Sequence, residues 1–148
     1  ILDLGAINTP AYQTEGIQNI LSHYPGLKIV IAHLCHPPVG KEGNEKMIEL
    51  WEQQILLAAY TNVWLDMAAL PAYVSKEEEY PYPSTKYFIH RAIELVGTDK
   101  IMWGSDIPGL LTNATYSQLI NFTIKQCDYL SDSELVKIMG GNALRVFK

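Results

Sequence analysis

The chain has 148 residues, 48% of them hydrophobic and 18% charged, with a net charge of −5. That length suffices for one domain with a real core. The acidic balance argues against a nucleic-acid partner, which rewards basic surfaces, and no apolar run is long enough to span a membrane. Two cysteines, Cys35 and Cys127, are too few for a disulfide framework and read as free thiols in a reducing, cytoplasmic setting.

Ile1–Leu4 reads as a strand, followed by a loop from Gly5 to Pro10. Thr14 to Tyr24 has helical spacing, with Ile17, Ile20 and Leu21 on one face, and Pro25-Gly26 stops it. The apolar run Ile29–Leu34 is a second strand, carrying His33 at its end, and the Pro37-Pro38 loop follows. Asn44 to Tyr60 is a long helix with Met47, Leu50, Trp51, Ile55 and Ala58 as its apolar stripe. Val63–Met67 is the third strand.

A loop from Leu70 to Ser84 holds Pro71, Pro81, Pro83 and the acidic run Glu77-Glu78-Glu79. Thr85 to Val96 is helical, and Gly97 suits the residue just past its end. Ile101–Gly104 is the fourth strand, cut off at Gly104-Ser105-Asp106. Thr115 to Tyr129 is helical. Ser131-Asp-Ser-Glu134 is a capping box for a last helix that Gly140-Gly141 is expected to end, with a closing turn over Asn142 to Phe147.

Strand and helix alternate four times, which implies parallel pairing through right-handed crossovers. One strand tip here offers an imidazole, His33, and another a carboxylate, Asp106. Imidazole and carboxylate together suit a divalent metal or a proton transfer. Among the other polar residues, His36 reads as a solvated loop histidine and Cys35 as a buried thiol. Asp66 reads as a structural acceptor for a loop amide, and His23 and His90 as helix-surface or packing residues. Trp103 reads as core, while the tyrosines at 73, 80, 82 and 87 fit a lid or a plain surface loop equally well.

Pro25-Gly-Leu-Lys-Ile-Val-Ile-Ala-His33, Val63-Trp-Leu-Asp66, Ile101-Met-Trp-Gly-Ser-Asp106-Ile-Pro108 and Gly141-Asn-Ala-Leu-Arg-Val-Phe147 together resemble the amidohydrolase-related family. These are the aromatic-acid decarboxylases and small lactone or amide hydrolases of the amidohydrolase superfamily. The resemblance implies an α/β fold, the C-terminal half of a (β/α)8 TIM barrel, built of four parallel βα units plus a C-terminal helix. Residues 1–148 would form one partial domain, with the N-terminal half of the barrel expected before Ile1 and the natural end close to Lys148.

It further implies that Asp106 and His33 are both catalytic residues and ligands of a divalent metal, zinc first and manganese second. The substrate would be a small cyclic or aromatic acid, hydrolysed or decarboxylated without oxidation. The family's His-x-His and its fifth-strand histidine do not occur, so Asp3 or Asn8 would have to stand in for the latter. Alone, the chain is expected to bind metal weakly, to be inactive, and to form a homo-oligomer or pair with the missing half-barrel through its open inner face. The alternative is a barrel that has lost catalysis and serves as an assembly or interaction module. A flavodoxin-like nucleotide binder is disfavoured because no Gly-rich phosphate loop follows any strand.

Overall fold

A computed structural model describes the backbone of residues 1–4 and 10–148 and, apart from 10–12, their side chains. The expected loop from Gly5 and the expected role of Asn8 lie outside the described residues. Three short strands form the sheet: β1 (Ile29–Ile31), β2 (Val63–Asp66) and β3 (Ile101–Met102). They pair in parallel in chain order, Ile29 opposite Val63 and Leu65 opposite Ile101. The strand expected at Ile1–Leu4 shrinks to one parallel bridge, Leu2 to Ile31. Leu2 N–H donates to Val30 O (2.8 Å) and Ala32 N–H to Leu2 O (2.9 Å). The segment has one strand neighbour among the described residues, and the Asp3 side chain accepts from His36.

The helices are α1 (Pro10–His23), α2 (Glu45–Ile55), α3 (Lys86–Val96), α4 (Tyr116–Gln126), α5 (Asp132–Val136) and α6 (Asn142–Val146). Their starts are set by local chemistry. Asn44 Oδ1 accepts from Met47 N–H, and the Thr115–Gln118 and Ser131–Glu134 boxes both close reciprocally. Gly97, at φ +78°, turns the chain out of α3 and donates to Ile93 O (2.8 Å). In α1 the expected apolar face is narrower: Ile17 and Leu21 are buried, but Ile20 is exposed. No described helix is long and apolar enough to cross a membrane.

Alternation along the strands separates two faces. Ile29, Ile31, Val63, Leu65 and Ile101 join the main core with Trp51, Ile55, Phe88, Ile89, Leu119 and Phe122. Val30, Trp64 and Met102 point the other way and meet Val146 and Ala143 of α6. The face expected to lie open is therefore partly covered by the C-terminal helix. Gly140-Gly141 does not end the last helix: α5 runs through a wide turn at Lys137–Gly141 into α6. Asn142 explains the detour. Fully buried, its amide donates to Thr98 O and Ile101 O (both 2.7 Å), and Arg145 donates to its Oδ1 (2.6 Å). Those bonds tie α6 to the start of β3.

Candidate active site

β1 stops earlier than its apolar pattern predicts. After Ala32 the backbone enters four successive left-handed residues, His33 (φ 61°), Leu34 (48°), Cys35 (55°) and His36 (53°). L residues pay about 1–2 kcal/mol each for that conformation, so the turn must be held from outside. Leu34 and Cys35 are fully buried. Trp51 Nε1 donates to Leu34 O (2.9 Å), and Asp66 Oδ1 accepts from His33 N–H (2.9 Å) and Ala68 N–H (3.0 Å). Asp66 is thus a backbone acceptor that joins the tips of β1 and β2.

A three-residue turn eclipses positions i and i+3. His33 and His36 accordingly stand together, ring centroids 5.3 Å apart and nearly perpendicular. The His33 ring is bracketed by carboxylates: Nδ1 lies 3.8 Å from Asp3 Oδ2, and Nε2 lies 3.8 Å from Asp106 Oδ1. Asp106 reaches this point from beyond β3, itself left-handed at φ 50°. The histidine and the aspartate singled out in the sequence therefore converge on one rim.

His36 departs from its reading as a solvated loop residue. Its Nε2–H donates to Asp3 Oδ1 (2.6 Å), and Tyr73 O–H donates to its Nδ1 (2.9 Å). Burial first, then the charges of Asp3, Asp106 and Asp66, raises the Tyr73 phenol well above its ordinary range, so it keeps its proton and remains a donor. Of the other tyrosines, Tyr82 is buried with its hydroxyl on Asn113 O (2.8 Å), and Tyr87 is exposed. Trp103 is half-buried rather than core. Nothing in a single histidine three residues after another marked His36 for this role. Its two partners lie 33 and 37 residues away in the chain.

The donor set fits a divalent cation. One ligand atom each from Asp3, His33 and His36 lies within 4.8 Å of the others. His33 Nδ1 is buried with no hydrogen-bond partner among the described residues, a state that protein interiors rarely leave unexplained.

No curated protein matches the sequence. Solved structures do match the fold. An amidohydrolase from Burkholderia multivorans, crystallised with bound HEPES, aligns at TM-score 0.78 and 20% identity, covering 92% of this chain and 50% of that one. The same protein in a second crystal form carries bound zinc (TM-score 0.76). A Pseudomonas putida protein assigned as a 2-pyrone-4,6-dicarboxylic acid hydrolase aligns at 0.69 and 19% identity, over 95% and 48% of the two chains. A dihydroxybenzoic acid decarboxylase from a Polaromonas species, with bound manganese and 2-nitroresorcinol, aligns at 0.56 and 17% identity, over 93% and 39%. This chain thus spans about half the length of the first of these structures, and its parallel sheet is part of a TIM barrel. At the level of sequence the amidohydrolase family profile runs from residue 4 to residue 148, and the chain belongs to that family.

Proposed function

We propose that this chain is the C-terminal part of a metal-dependent hydrolase or non-oxidative decarboxylase acting on a small cyclic or aromatic acid. One observation carries the reading: His33 Nε2 and Asp106 Oδ1, delivered by different strand tips, face each other at 3.8 Å. The carboxyl rim of a parallel barrel is where this architecture assembles its chemistry. His33 would hold a divalent cation together with a flanking carboxylate, Asp3 or Asp106. Zinc is the first candidate and manganese the second, both of which occur in the family's solved structures. When bound, such an ion polarises a substrate oxygen and acidifies a water.

The residues supply the rest. Asp106 is 39% exposed, so its carboxylate is open to substrate and water. In hydrolysis it takes the proton of the attacking water and returns it to the leaving group. In decarboxylation the protonated carboxyl delivers its proton to the ring carbon that loses CO2. His33, held by the backbone bond from its own N–H to Asp66, orients the substrate carboxylate or carbonyl from the other side. The Tyr73 hydroxyl and His36 keep Asp3 in place.

The test uses the intact protein that contains this chain. Asp106→Asn is expected to abolish turnover of a panel of lactones and hydroxybenzoic acids while leaving circular dichroism and melting temperature unchanged. Wild-type turnover in that variant would refute the assignment.

A further inference from the structure

Resting on that reading, we infer that Tyr82 and Asn113 are positioning residues: together they clasp the loop after β3, which carries Asp106, to the loop after β2, which carries Tyr73. Asp106 is left-handed at φ 50°, a conformation that an L residue adopts at a cost. Its place beside His33 is therefore set by what holds the turn behind it. Leu110 N–H donates to Asp106 O (3.1 Å), and Asn113 N–H and Ala114 N–H return to Leu110 O (2.9 and 3.0 Å). The Thr112 hydroxyl lies 3.0 Å from both Gly109 O and Asn113 Oδ1. A Cβ at Gly109 would stand 3.4 Å from Asp106 Oδ2, so the carboxylate rests over this turn. Residues 106–114 thus form one piece, the carboxylate included.

Asn113 ties that piece to the neighbouring loop. Tyr82 O–H donates to Asn113 O (2.8 Å), and Asn113 Nδ2 donates to Pro71 O (3.4 Å). Pro71 lies in the turn Leu70–Ala72, which leads directly into Tyr73, whose hydroxyl reaches His36. Tyr82 is a firm post for this bond. It is buried, its own carbonyl accepts from Thr85 Oγ1 (2.8 Å), and its ring packs edge-on against Tyr80 and Phe122.

A cleft of about 320 Å³ opens between the two loops, with Pro71, Lys76, Tyr82, Thr112 and Asn113 in its walls. Where the cleft stands the loops do not pack on each other, so their join at that point depends on the two hydrogen bonds. A misplacement of about 1 Å costs a reacting pair as much as 10²-fold in rate. The clasp acts on the 3.8 Å between Asp106 and His33 and not on the affinity for substrate.

The test pairs steady-state kinetics on the panel of lactones and hydroxybenzoic acids with histidine NMR, both on the intact protein. Tyr82→Phe and Asn113→Ala are expected to lower kcat about 10-fold with KM held within about twofold. Both variants should also shift the His33 ring signals, a readout that needs no substrate. Ser131→Ala, which removes the cap of α5, is expected to lower the melting temperature and leave kcat and the His33 signals at wild-type values. Unchanged kcat or unmoved His33 signals in Tyr82→Phe, with Asp106→Asn inactive, would overturn the clasp and leave the proposed chemistry intact. A raised KM at unchanged kcat would make Tyr82 a substrate contact and overturn it equally. Wild-type turnover in Asp106→Asn would end the chemistry and the positioning role with it.

Discussion

Removing the Asp66 carboxylate is the sharpest test of how the site is built. Its Oδ1 accepts from His33 N–H at 2.9 Å and Ala68 N–H at 3.0 Å. Hydrogen bonds to a charged group contribute about 1.5–3 kcal/mol each. The pair is only partly buried, so water can enter and replace part of each bond. Asp66→Ala is therefore expected to destabilise by roughly 2–4 kcal/mol. Asp66→Asn keeps an oxygen in the same place without the charge and should cost about 1 kcal/mol. Urea unfolding reads both as a shift in midpoint at constant slope. The His33 and His36 ring resonances should move in the alanine variant and stay near their wild-type positions in the asparagine variant, because the turn depends on the acceptor. Equal losses in the two variants, or unmoved histidine signals in Asp66→Ala, would refute the idea that this oxygen holds the turn.

Two further outcomes follow from the same packing. A Cβ at Gly104 would stand 2.9 Å from Ala68 Cβ and 3.6 Å from Asp66 Cγ. Gly104→Ala should cost about 1–3 kcal/mol, and the double variant with Ala68→Gly should recover most of it, checked by a double-mutant cycle in urea. Both thiols are protonated well beyond their ordinary value of 9.0. Burial and then Asp66 raise Cys35, while burial and then Asp128 push Cys127 up to about 12. The native chain thus keeps protons that the unfolded chain releases. Stability should be level up to pH 9 and then fall by about 1.4 kcal/mol per thiol for each further pH unit. Urea midpoints at pH 8, 9 and 10 measure the slope, which Cys127→Ala should reduce by one thiol's share. A flat profile would count against it.

Much of the architecture is written in local chemistry. The caps at Asn44, Thr115 and Ser131 and the stop at Gly97 depend on residues within four positions, so the sequence displays them. The convergence of His33 and Asp106 was also legible, because parallel βα units bring successive strand ends to one rim. What the sequence hides is set by distant partners. The turn His33–His36 contains no glycine, and its conformation is held by Trp51 and Asp66. Tyr73 joins the site through His36, and so does one oxygen of Asp3. The apolar run into Leu34 argues for a longer strand, and the burial of Leu34 and Cys35 satisfies that pattern without one. The Gly140-Gly141 pair misleads for a similar reason: Asn142, bonded to carbonyls more than forty residues earlier, carries the helix onward.

The left-handed turn ties strain to chemistry. Had β1 continued in extended form through residue 36, His33 and His36 would point to opposite faces of the sheet, since their separation is odd. A right-handed turn would bring them together too, but it would leave the strand in another direction. The four positive φ values represent several kcal/mol of unfavourable backbone conformation. Fully burying Leu34 and Cys35 and bonding Leu34 O to Trp51 offsets it. The apolar residues between the histidines therefore anchor the turn in the core, and the histidines themselves are left at the rim, only about a fifth exposed, facing Asp3. Backbone outliers of this kind persist where their surroundings over-determine them. Here the surroundings come from β1, α2, β2 and the residue-3 edge, four separate segments whose agreement places two imidazoles beside one carboxylate.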